Sequence, residues 1–299
     1  MSSRLHLYWE FSRPFTLLAP ALGMLSGGLT AYGADPPQAF SWTVVLNLTL
    51  GTLMAAVLNG GSNALNQIYD LDVDRVNKPH RALPSGRISL IEAHYVTWTL
   101  FALGLVLAWA VNTSCFLLAL SATVLTVLYS VPPARTKARG IWANITIAVP
   151  RGVLLKVAGW STVKTVVAVE PWYIGMVFGV FLLGASSTKD FADIEGDRAG
   201  GCRTLPILYG VEKAAWIIAP FFLFPFLLLP LGASLGVLTG NGVALHVLGV
   251  GLASWGAYVV YLILRDPGAL AATENHPSWT HMYLMMLTLQ VGFIAAYFL

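Results

Sequence analysis

Two segments of the chain place acidic and amide side chains at helical spacing. Residues three or four positions apart lie on one face of a helix, so each segment would carry a stripe of oxygen atoms. Carboxylates this close repel one another unless a cation lies among them, and such oxygens are the ligands that Mg²⁺ prefers. We expect the metal ligands to be Asn66, Asp70 and Asp74 in the first segment and Asp190, Asp193 and Asp197 in the second.

Two facing stripes can hold two or more Mg²⁺ ions with a diphosphate between them. The metals would neutralise a leaving pyrophosphate, which makes ionisation of a C–O bond feasible and gives Asp70, Asp74, Asp193 and Asp197 a catalytic role. Asp72 and Glu195 belong to the same segments but point off the stripes. Nearby side chains are expected to bind the diphosphate or the acceptor: Arg75, Lys78, Arg81, Tyr129, Arg135, Lys137, Arg151, Lys189, Arg198 and Arg203.

Each segment alone also fits a solvated helix end paired with neighbouring basic residues. The same pattern occurs twice in a chain with few charges elsewhere, which favours a site. Arg151 and Lys156 lie in an apolar run, where a charge is costly. Arg151 is expected to contact the diphosphate or an acidic acceptor, and Lys156 either does the same or forms a structural pair. Tyr129 is expected to bind phosphate or face a carbocation, or else to belong to an interfacial aromatic belt.

The elements that must position these residues are membrane helices. Of 299 residues, 57% are hydrophobic and 10% charged, and the mean hydropathy is +0.70, whereas a soluble domain has about 25% charged residues. The net charge of +3 comes from basic residues beside apolar runs, so nucleic-acid binding is not indicated. Residues 1–14 do not resemble a cleavable signal, and Cys115 and Cys202 suggest neither a disulfide nor a zinc site.

A membrane span needs about 20 apolar residues. This rule predicts an all-α membrane protein, with nine helices in a single domain of residues 1–299. The second span runs into the first acidic segment and the sixth into the second. The expected spans are about 15–33, 42–65, 91–111, 114–131, 141–162, 170–188, 213–233, 243–264 and 281–299.

The distribution of basic residues predicts the orientation. With the N-terminus inside, all of the 17 Lys and Arg residues except Lys164, Arg151 and Lys156 fall on the cytoplasmic side. Both acidic segments then face the cytoplasm, as a joint site requires.

The acidic segments also form a weak internal repeat. Two four-helix units, with the ninth helix extra, would place two half-sites face to face across an axis along the membrane normal. The matching sequences are Asp70-x-x-x-Asp74 with Arg81-Ala-Leu-Pro84, and Asp193-x-x-x-Asp197 with Arg203-Thr-Leu-Pro206.

These motifs resemble the UbiA superfamily of intramembrane prenyltransferases. Its N-x-x-x-D-x-x-x-D motif is matched by Asn66, Asp70 and Asp74, and its D-x-x-x-D motif by Asp193 and Asp197, with Asp190 extending it. Other similar segments within residues 10–210 are Arg13-Pro-Phe-Thr16, Asn77-Lys-Pro, Leu83-Pro-Ser-Gly86, Tyr129-Ser-Val-Pro-Pro133 and Arg203-Thr-Leu-Pro206. The resemblance implies nine helices around a central cavity and Mg²⁺ on both motifs. A polyprenyl diphosphate would be the donor, with its tail among the helices and the lipid bilayer.

The resemblance is less specific about the acceptor, a small molecule alkylated as pyrophosphate leaves. Residues 66–70 and 189–197 resemble the homogentisate branch, 189–197 also resembles the geranylgeranylglyceryl phosphate branch, and Tyr-Ser-x-Pro-Pro resembles chlorophyll synthases. We expect a geranylgeranyl-type group and an aromatic quinone precursor such as homogentisate or 4-hydroxybenzoate. Alternatives are prenylation of geranylgeranylglyceryl phosphate or chlorophyllide, and a terpene cyclase on the same scaffold.

Two other classes use acidic residues in membranes. A transporter would have broken helices with acids at the bilayer centre, whereas these acids lie at helix ends beside Arg and Lys. A CDP-alcohol phosphatidyltransferase would carry a D-x-x-D-G-x-x-A-R run, which this sequence lacks. The enzyme prediction is therefore favoured.

Overall fold

The structure is a computed structural model that describes residues 4–273 and 276–299, without the side chains of Val76 and Asn77. In these ranges nine helices are long and apolar enough to cross a membrane. They are α1 (Pro14–Gly33), α2 (Trp42–Tyr69), α3 (Leu90–Val111), α4 (Thr113–Ser130), α5 (Ile141–Ser161), α6 (Val169–Ala192), α7 (Val211–Ser234), α8 (Gly242–Arg265) and α9 (Pro277–Phe298). The prediction of an all-α membrane protein with nine spans is confirmed, with α2 running beyond residue 65 and α9 beginning before 281.

The nine helices close into a ring. Each packs on the next along the chain, α9 packs back on α1, and α1 also packs on α5 across the ring. Small residues allow this crossing, because a Cβ added to Gly159 would lie 3.0 Å from the Cα of Gly27. Short helices outside these spans carry parts of the acidic motifs, namely Leu71–Asn77 and Ile194–Ala199, and Leu205–Tyr209 follows the second of them.

The largest apolar core lies mainly in the second half of the chain, where buried residues of α6, α7, α8 and α9 form one cluster. Phe181 of α6 is fully buried, with ring centroids 5.8 Å from Phe222 and 5.2 Å from Phe226 of α7. Phe178, one turn earlier, lies 5.8 Å from Phe293 of α9. Aromatic rings bury large apolar areas, so this cluster fixes the helix that leads into the second motif.

Both acidic motifs interrupt a helix at the same kind of residue. α2 ends at Tyr69, and Asp70 (φ −104°, ψ 10°) separates it from Leu71–Asn77. α6 is followed by Asp193 (φ −99°, ψ 12°), which separates it from Ile194–Ala199. Each predicted continuous stripe is therefore divided between the end of a membrane span and a short helix, with an aspartate at the junction, a residue whose side chain competes with the helical backbone. The shared geometry agrees with the predicted repeat.

Candidate active site

The first motif has its carboxylates neutralised by basic residues of the chain. Lys137 Nζ donates to Asp70 Oδ1, and Arg135 Nη2 lies 3.7 Å from the same oxygen. Arg81 Nη1 donates to Asp74 Oδ2 at 2.7 Å, and the side chain of Asp74 is only 8% exposed. Arg135 and Lys137 reach Asp70 because α4 ends just before Pro132 and Pro133, which cannot continue the helix.

The second motif has far less compensation. Among the described residues its one ion pair joins Lys189 Nζ to Asp193 Oδ2 at 3.8 Å, with both side chains about half exposed (55% and 46%). Burial raises the pKa of Asp197 to about 6, and the charge of Asp193 adds to the rise. Repulsion of this kind is what a divalent cation relieves.

The two motifs lie next to each other at one end of the ring. Their short helices, Leu71–Asn77 and Ile194–Ala199, are in contact. Burial lowers the pKa of Lys78, while the carboxylates of both motifs, Asp74 and Asp193, act to raise it. Burial also lowers the pKa of Lys137, whereas Cys202 and Asp197 of the second motif act to raise it. Two lysines therefore lie between two sets of carboxylates, an arrangement that fits a diphosphate bridged by metal ions.

The oxygen donors fit Mg²⁺, but they do not form a finished metal cage. In residues 4–273 and 276–299 no three His, Cys, Asp or Glu side chains converge as a metal site. The reason is visible in the first motif, whose carboxylates face Lys137 and Arg81. Mg²⁺ is usually held by one or two carboxylates together with water and substrate phosphate, so a donor set shared with substrate remains consistent with it.

The site continues into the interior of the ring through α5. Residues Val149–Leu154 form a π-helical turn, in which Pro150 lacks the N–H that a regular turn would use. Gly152 packs against Gly179 of α6, since an added Cβ would lie 2.5 Å from its Cα. Arg151 lies deep among protein atoms, yet its surface remains accessible. Arg151 therefore keeps an accessible side chain on this turn, and Tyr129 lies within electrostatic range of it.

Asn144 positions the second motif. From α5 it donates through Nδ2 to Leu183 O at 3.0 Å and to Ser187 Oγ, at the break within α6 that precedes Asp190. A polar residue in an apolar helix needs such partners. This bond ties the end of α6 to α5 close to Arg151.

Some predicted site residues lie apart from this group. Arg75 pairs at 3.0 Å with Asp72, whose side chain is 94% exposed, because the two face each other on one turn of a short helix. Arg198 and Arg203 are exposed to solvent. The structure does not bring these three arginines to the carboxylates, so their predicted role is not supported by geometry.

The contacts of Lys156 are those of a structural residue that joins helices, not those of a substrate-binding residue. It is 3% exposed, donates to Gly23 O at 3.1 Å and to Ser26 Oγ, and lies 4.0 Å from the ring centroid of Phe178. These contacts join α5 to α1 and α6, so the ammonium is satisfied within the helix bundle.

A profile of the UbiA prenyltransferase family matches residues 24–276. The chain belongs to this family. A digeranylgeranylglyceryl phosphate synthase from Thermococcus kodakarensis is 33% identical over 266 residues, 86% of either chain. A chloroplastic chlorophyll synthase from Arabidopsis thaliana is 32% identical over 195 residues, 62% of this chain and 50% of that protein. The structure of a UbiA homologue from Archaeoglobus fulgidus, bound to GPP and Mg²⁺, covers 98% of this chain and 100% of its own, with a TM-score of 0.75 and 22% identity.

As a UbiA prenyltransferase, the protein is an integral-membrane transferase that acts on isoprenoid substrates. The resemblance inferred from the motifs is confirmed, and so is the prenyltransferase class. The preference for an aromatic quinone precursor is not supported, since these relatives are named as a digeranylgeranylglyceryl phosphate synthase and a chlorophyll synthase. The short segments on which this preference depended are shared by several branches, so they do not distinguish the acceptors.

Two residues of the site were absent from the sequence-based set. Cys202 is buried beside the second motif, where its N–H donates to Asp197 O at 2.8 Å. Arg13 interacts electrostatically with Asp74, Arg81 and Arg151. The only sequence signal for Arg13 was its place in Arg13-Pro-Phe-Thr16, where it appeared as a family resemblance rather than as a ligand.

Proposed function

We propose that this UbiA prenyltransferase transfers a geranylgeranyl-type group from a polyprenyl diphosphate to an isoprenoid glyceryl phosphate lipid. The observation that carries the proposal is the meeting of two carboxylate motifs, with Lys78 and Lys137 between them, at the end of an apolar helical ring. A diphosphate fits the charged end and a prenyl tail fits the apolar interior.

The carboxylates Asp70, Asp74, Asp193 and Asp197 would hold Mg²⁺, with Asn66 and Asp190 at the edges of the two stripes. Bound there, Mg²⁺ supplies charge neutralisation for the leaving pyrophosphate. A UbiA homologue of the same fold has been solved with GPP and Mg²⁺, which supports this assignment. Lys78 and Lys137 oppose the remaining negative charge from inside the site.

The reaction is an alkylation at oxygen. The bond between the prenyl C1 atom and the diphosphate oxygen breaks, and C1 bonds to a hydroxyl oxygen of the acceptor. The hydroxyl proton passes to the departing pyrophosphate, which is released. Arg135 adjoins Asp70 at 3.7 Å and is placed to bind the phosphate groups of the donor.

The acceptor assignment is supported by charge and by similarity. Arg151 keeps an accessible side chain and forms no ion pair among the described residues, so an anionic group of the acceptor would find a cation there. The relative from Thermococcus kodakarensis, similar over most of both chains, is named as a digeranylgeranylglyceryl phosphate synthase. A glyceryl phosphate provides both the anion and the reacting hydroxyl.

Chlorophyllide is the second candidate acceptor. The Arabidopsis thaliana relative is a chlorophyll synthase, and Tyr129-Ser-Val-Pro-Pro133 resembles that branch. Its carboxylate would be both the anion at Arg151 and the nucleophile. This candidate ranks second because the alignment with that relative covers 62% of this chain.

The test is pyrophosphate release by purified protein in detergent, with Mg²⁺, geranylgeranyl diphosphate and one acceptor at a time. The acceptors are geranylgeranylglyceryl phosphate, chlorophyllide, homogentisate and 4-hydroxybenzoate, and products are identified by mass spectrometry. Release stimulated by the glyceryl phosphate, with a doubly prenylated product, supports the proposal. Stimulation by another acceptor would show that this compound, and not the glyceryl phosphate, is the acceptor. Pyrophosphate release without an acceptor, with a cyclic hydrocarbon as product, would indicate a cyclase.

The motif end of the ring is assigned to the cytoplasmic face. The assignment depends on the basic residues, nearly all of which belong to that side when the N-terminus is inside. Maleimide labelling of Glu195→Cys in closed inverted vesicles, against right-side-out vesicles, tests it. Glu195 is exposed, and both native cysteines are buried. The assignment predicts labelling in the inverted vesicles. Labelling only in right-side-out vesicles would show that the motif end faces the opposite side of the membrane.

A further inference from the structure

Backbone strain in the described part of the chain is confined to two arginines. Outside glycine, only Arg13 (φ 57°, ψ 66°) and Arg135 (φ 33°, ψ 56°) have positive φ in residues 4–273 and 276–299. The left-handed region is costly for a residue with a long side chain, and Arg13 is restricted further because Pro14 follows it. Such outliers persist where the surrounding structure enforces them, and they cluster at functional sites.

Arg135 lies beside the first acidic motif, and Arg13 lies within electrostatic range of it. Arg135 Nη2 is 3.7 Å from Asp70, and its Nε is buried without a hydrogen-bond partner. Arg13 lies where the charges of Asp74, Arg81 and Arg151 act on it. Asp74 is already paired with Arg81, and Arg13 forms no ion pair within the described ranges. Donors therefore remain on both sides of the motif for an anionic ligand.

An amide ladder on α2 holds the segment around Arg13. Three amide side chains, one per helical turn, donate to backbone carbonyls on both sides of the strained residue. The bonds are Gln67 Nε2 to Phe11 O (2.7 Å), Asn63 Nδ2 to Ser12 O (3.1 Å) and Asn59 Nδ2 to Thr16 O (3.1 Å). Asn63 also donates to Thr16 Oγ1 at 2.7 Å.

The ladder is well suited to enforcing the turn. Gln67 is 2% exposed and Asn63 6% exposed, so their bonds form away from water, where an unpaired amide or carbonyl is costly. Phe11, at 1% exposure, anchors the start of the segment in the apolar cluster beneath it. A sheltered, satisfied set of bonds thus fixes the carbonyls before and after Arg13, and with them its backbone conformation.

We propose that Arg13 binds a phosphate group of a substrate, and that Asn59, Asn63 and Gln67 are positioning residues that hold it for this purpose. The inference rests on the proposed function, because it supplies a partner for a phosphate-bearing substrate. An arginine fork matches phosphate geometry with two parallel hydrogen bonds, which a lysine cannot supply. The phosphate belongs either to the diphosphate donor or to the glyceryl phosphate acceptor.

Arg13→Gly gives the primary test. Glycine adopts a φ of +57° without strain, so the variant should have an equal or higher unfolding temperature in detergent. Loss of the guanidinium should weaken ligand binding at least tenfold. Binding is measured by calorimetry with geranylgeranyl thiodiphosphate plus Mg²⁺ in one arm and geranylgeranylglyceryl phosphate in the other. The arm that weakens identifies which phosphate Arg13 binds.

Arg13→Asn is the second variant, since asparagine also tolerates the left-handed region. Arg4→Gln is the matched control for loss of a positive charge near the N-terminus, because Arg4 is exposed and pairs with Glu92. It should leave both affinities unchanged. Wild-type affinity of Arg13→Gly and Arg13→Asn for both ligands would overturn the inference.

Asn63→Leu tests the positioning role by a double-mutant cycle. Alone, it should weaken binding in the same arm as Arg13→Gly. Combined with Arg13→Gly it should add little, because its effect passes through Arg13. If the two losses of binding free energy add fully in the double mutant, the ladder does not act through Arg13 and its role is structural only. If the wild-type protein transfers nothing to any acceptor while Arg13→Gly still loses diphosphate binding, the proposed function fails and this inference stands.

Discussion

The two acidic motifs share a backbone but differ in charge balance. Each divides two helical segments at an aspartate with nearly the same angles, Asp70 (φ −104°, ψ 10°) and Asp193 (φ −99°, ψ 12°). In the first motif, Asp70 faces Lys137 and Asp74 faces Arg81. In the second, Lys189 lies 3.8 Å from Asp193 and the pKa of Asp197 is raised by burial and by its neighbour. The two motifs therefore repeat the same backbone geometry, but their carboxylates are neutralised to different extents.

This difference predicts unequal metal binding. A cation approaching the first motif must compete with ammonium and guanidinium groups that already neutralise it. A cation approaching the second relieves repulsion and displaces little. We expect the second motif to bind the first divalent ion, and the first motif to complete its site when a diphosphate offers its oxygens to Lys137 and Arg81.

The largest effect is expected from the removal of one carboxylate in either motif. Asp70→Asn and Asp193→Asn should each lower turnover by about 10³-fold or more, because stabilisation of the leaving pyrophosphate is lost. Pyrophosphate release is the measurement, and Asp72→Asn is the matched control, since its side chain is 94% exposed and off the motif. A near-normal rate for Asp193→Asn would show that this carboxylate of the second motif is not needed for catalysis.

Stability without metal should separate the two motifs. Asp74→Asn leaves Arg81 without its buried partner and should destabilise the protein by about 3 kcal/mol. Asp197→Asn removes a repelling charge and should leave stability unchanged or improve it. Unfolding of both variants is followed in detergent with EDTA. Equal destabilisation by the two substitutions would show that the motifs are electrostatically alike.

Removal of the competing lysines should sharpen the comparison at a smaller scale. Lys137→Gln should tighten binding of a divalent cation about tenfold, because the ammonium on Asp70 is lost in a largely buried site. Lys189→Gln should change it by about threefold or less, as expected for an exposed pair. Mn²⁺ titration followed by electron paramagnetic resonance measures both affinities. A larger effect at Lys189 would contradict the order of binding.

The residues that sequence reasoning placed correctly are those governed by local rules. Hydropathy and length set the nine spans, and helical spacing set Asp70, Asp74, Asp193 and Asp197 at the helix ends. The partners of these carboxylates depend on tertiary structure, since Lys137 is 67 positions from Asp70 along the chain. Spacing also did not show that Arg75, predicted to bind substrate, pairs with Asp72 three residues earlier.

The left-handed turn at Arg13 was likewise beyond reach of the sequence. Its conformation is enforced by amides of α2 about 50 positions away along the chain, such as Asn63, which bonds Ser12 at a separation of 51 residues. Propensity rules place glycine or asparagine at such a turn, not arginine. A departure of this kind from local rules is typical of functional positions.

The smallest effect on catalysis is expected from the buried carboxylate at the opposite end of the ring. Glu170 Oε1 accepts hydrogen bonds from Thr239 N (2.6 Å), Thr239 Oγ1 (3.0 Å) and Tyr297 OH (2.5 Å). Unlike the acids of the second motif, it is fully provided with donors, and these bonds tie α6 to the loop before α8 and to α9. Its role should therefore be structural.

Glu170→Gln should lower stability by about 1–2 kcal/mol, because charge-assisted hydrogen bonds become neutral ones. Turnover at a temperature where the protein stays folded should not change. Thermal unfolding and pyrophosphate release measure the two effects, with the exposed Glu212→Gln as control. A loss of turnover without a loss of stability would mean that burial with satisfied hydrogen bonds does not distinguish a structural carboxylate from a catalytic one in this ring.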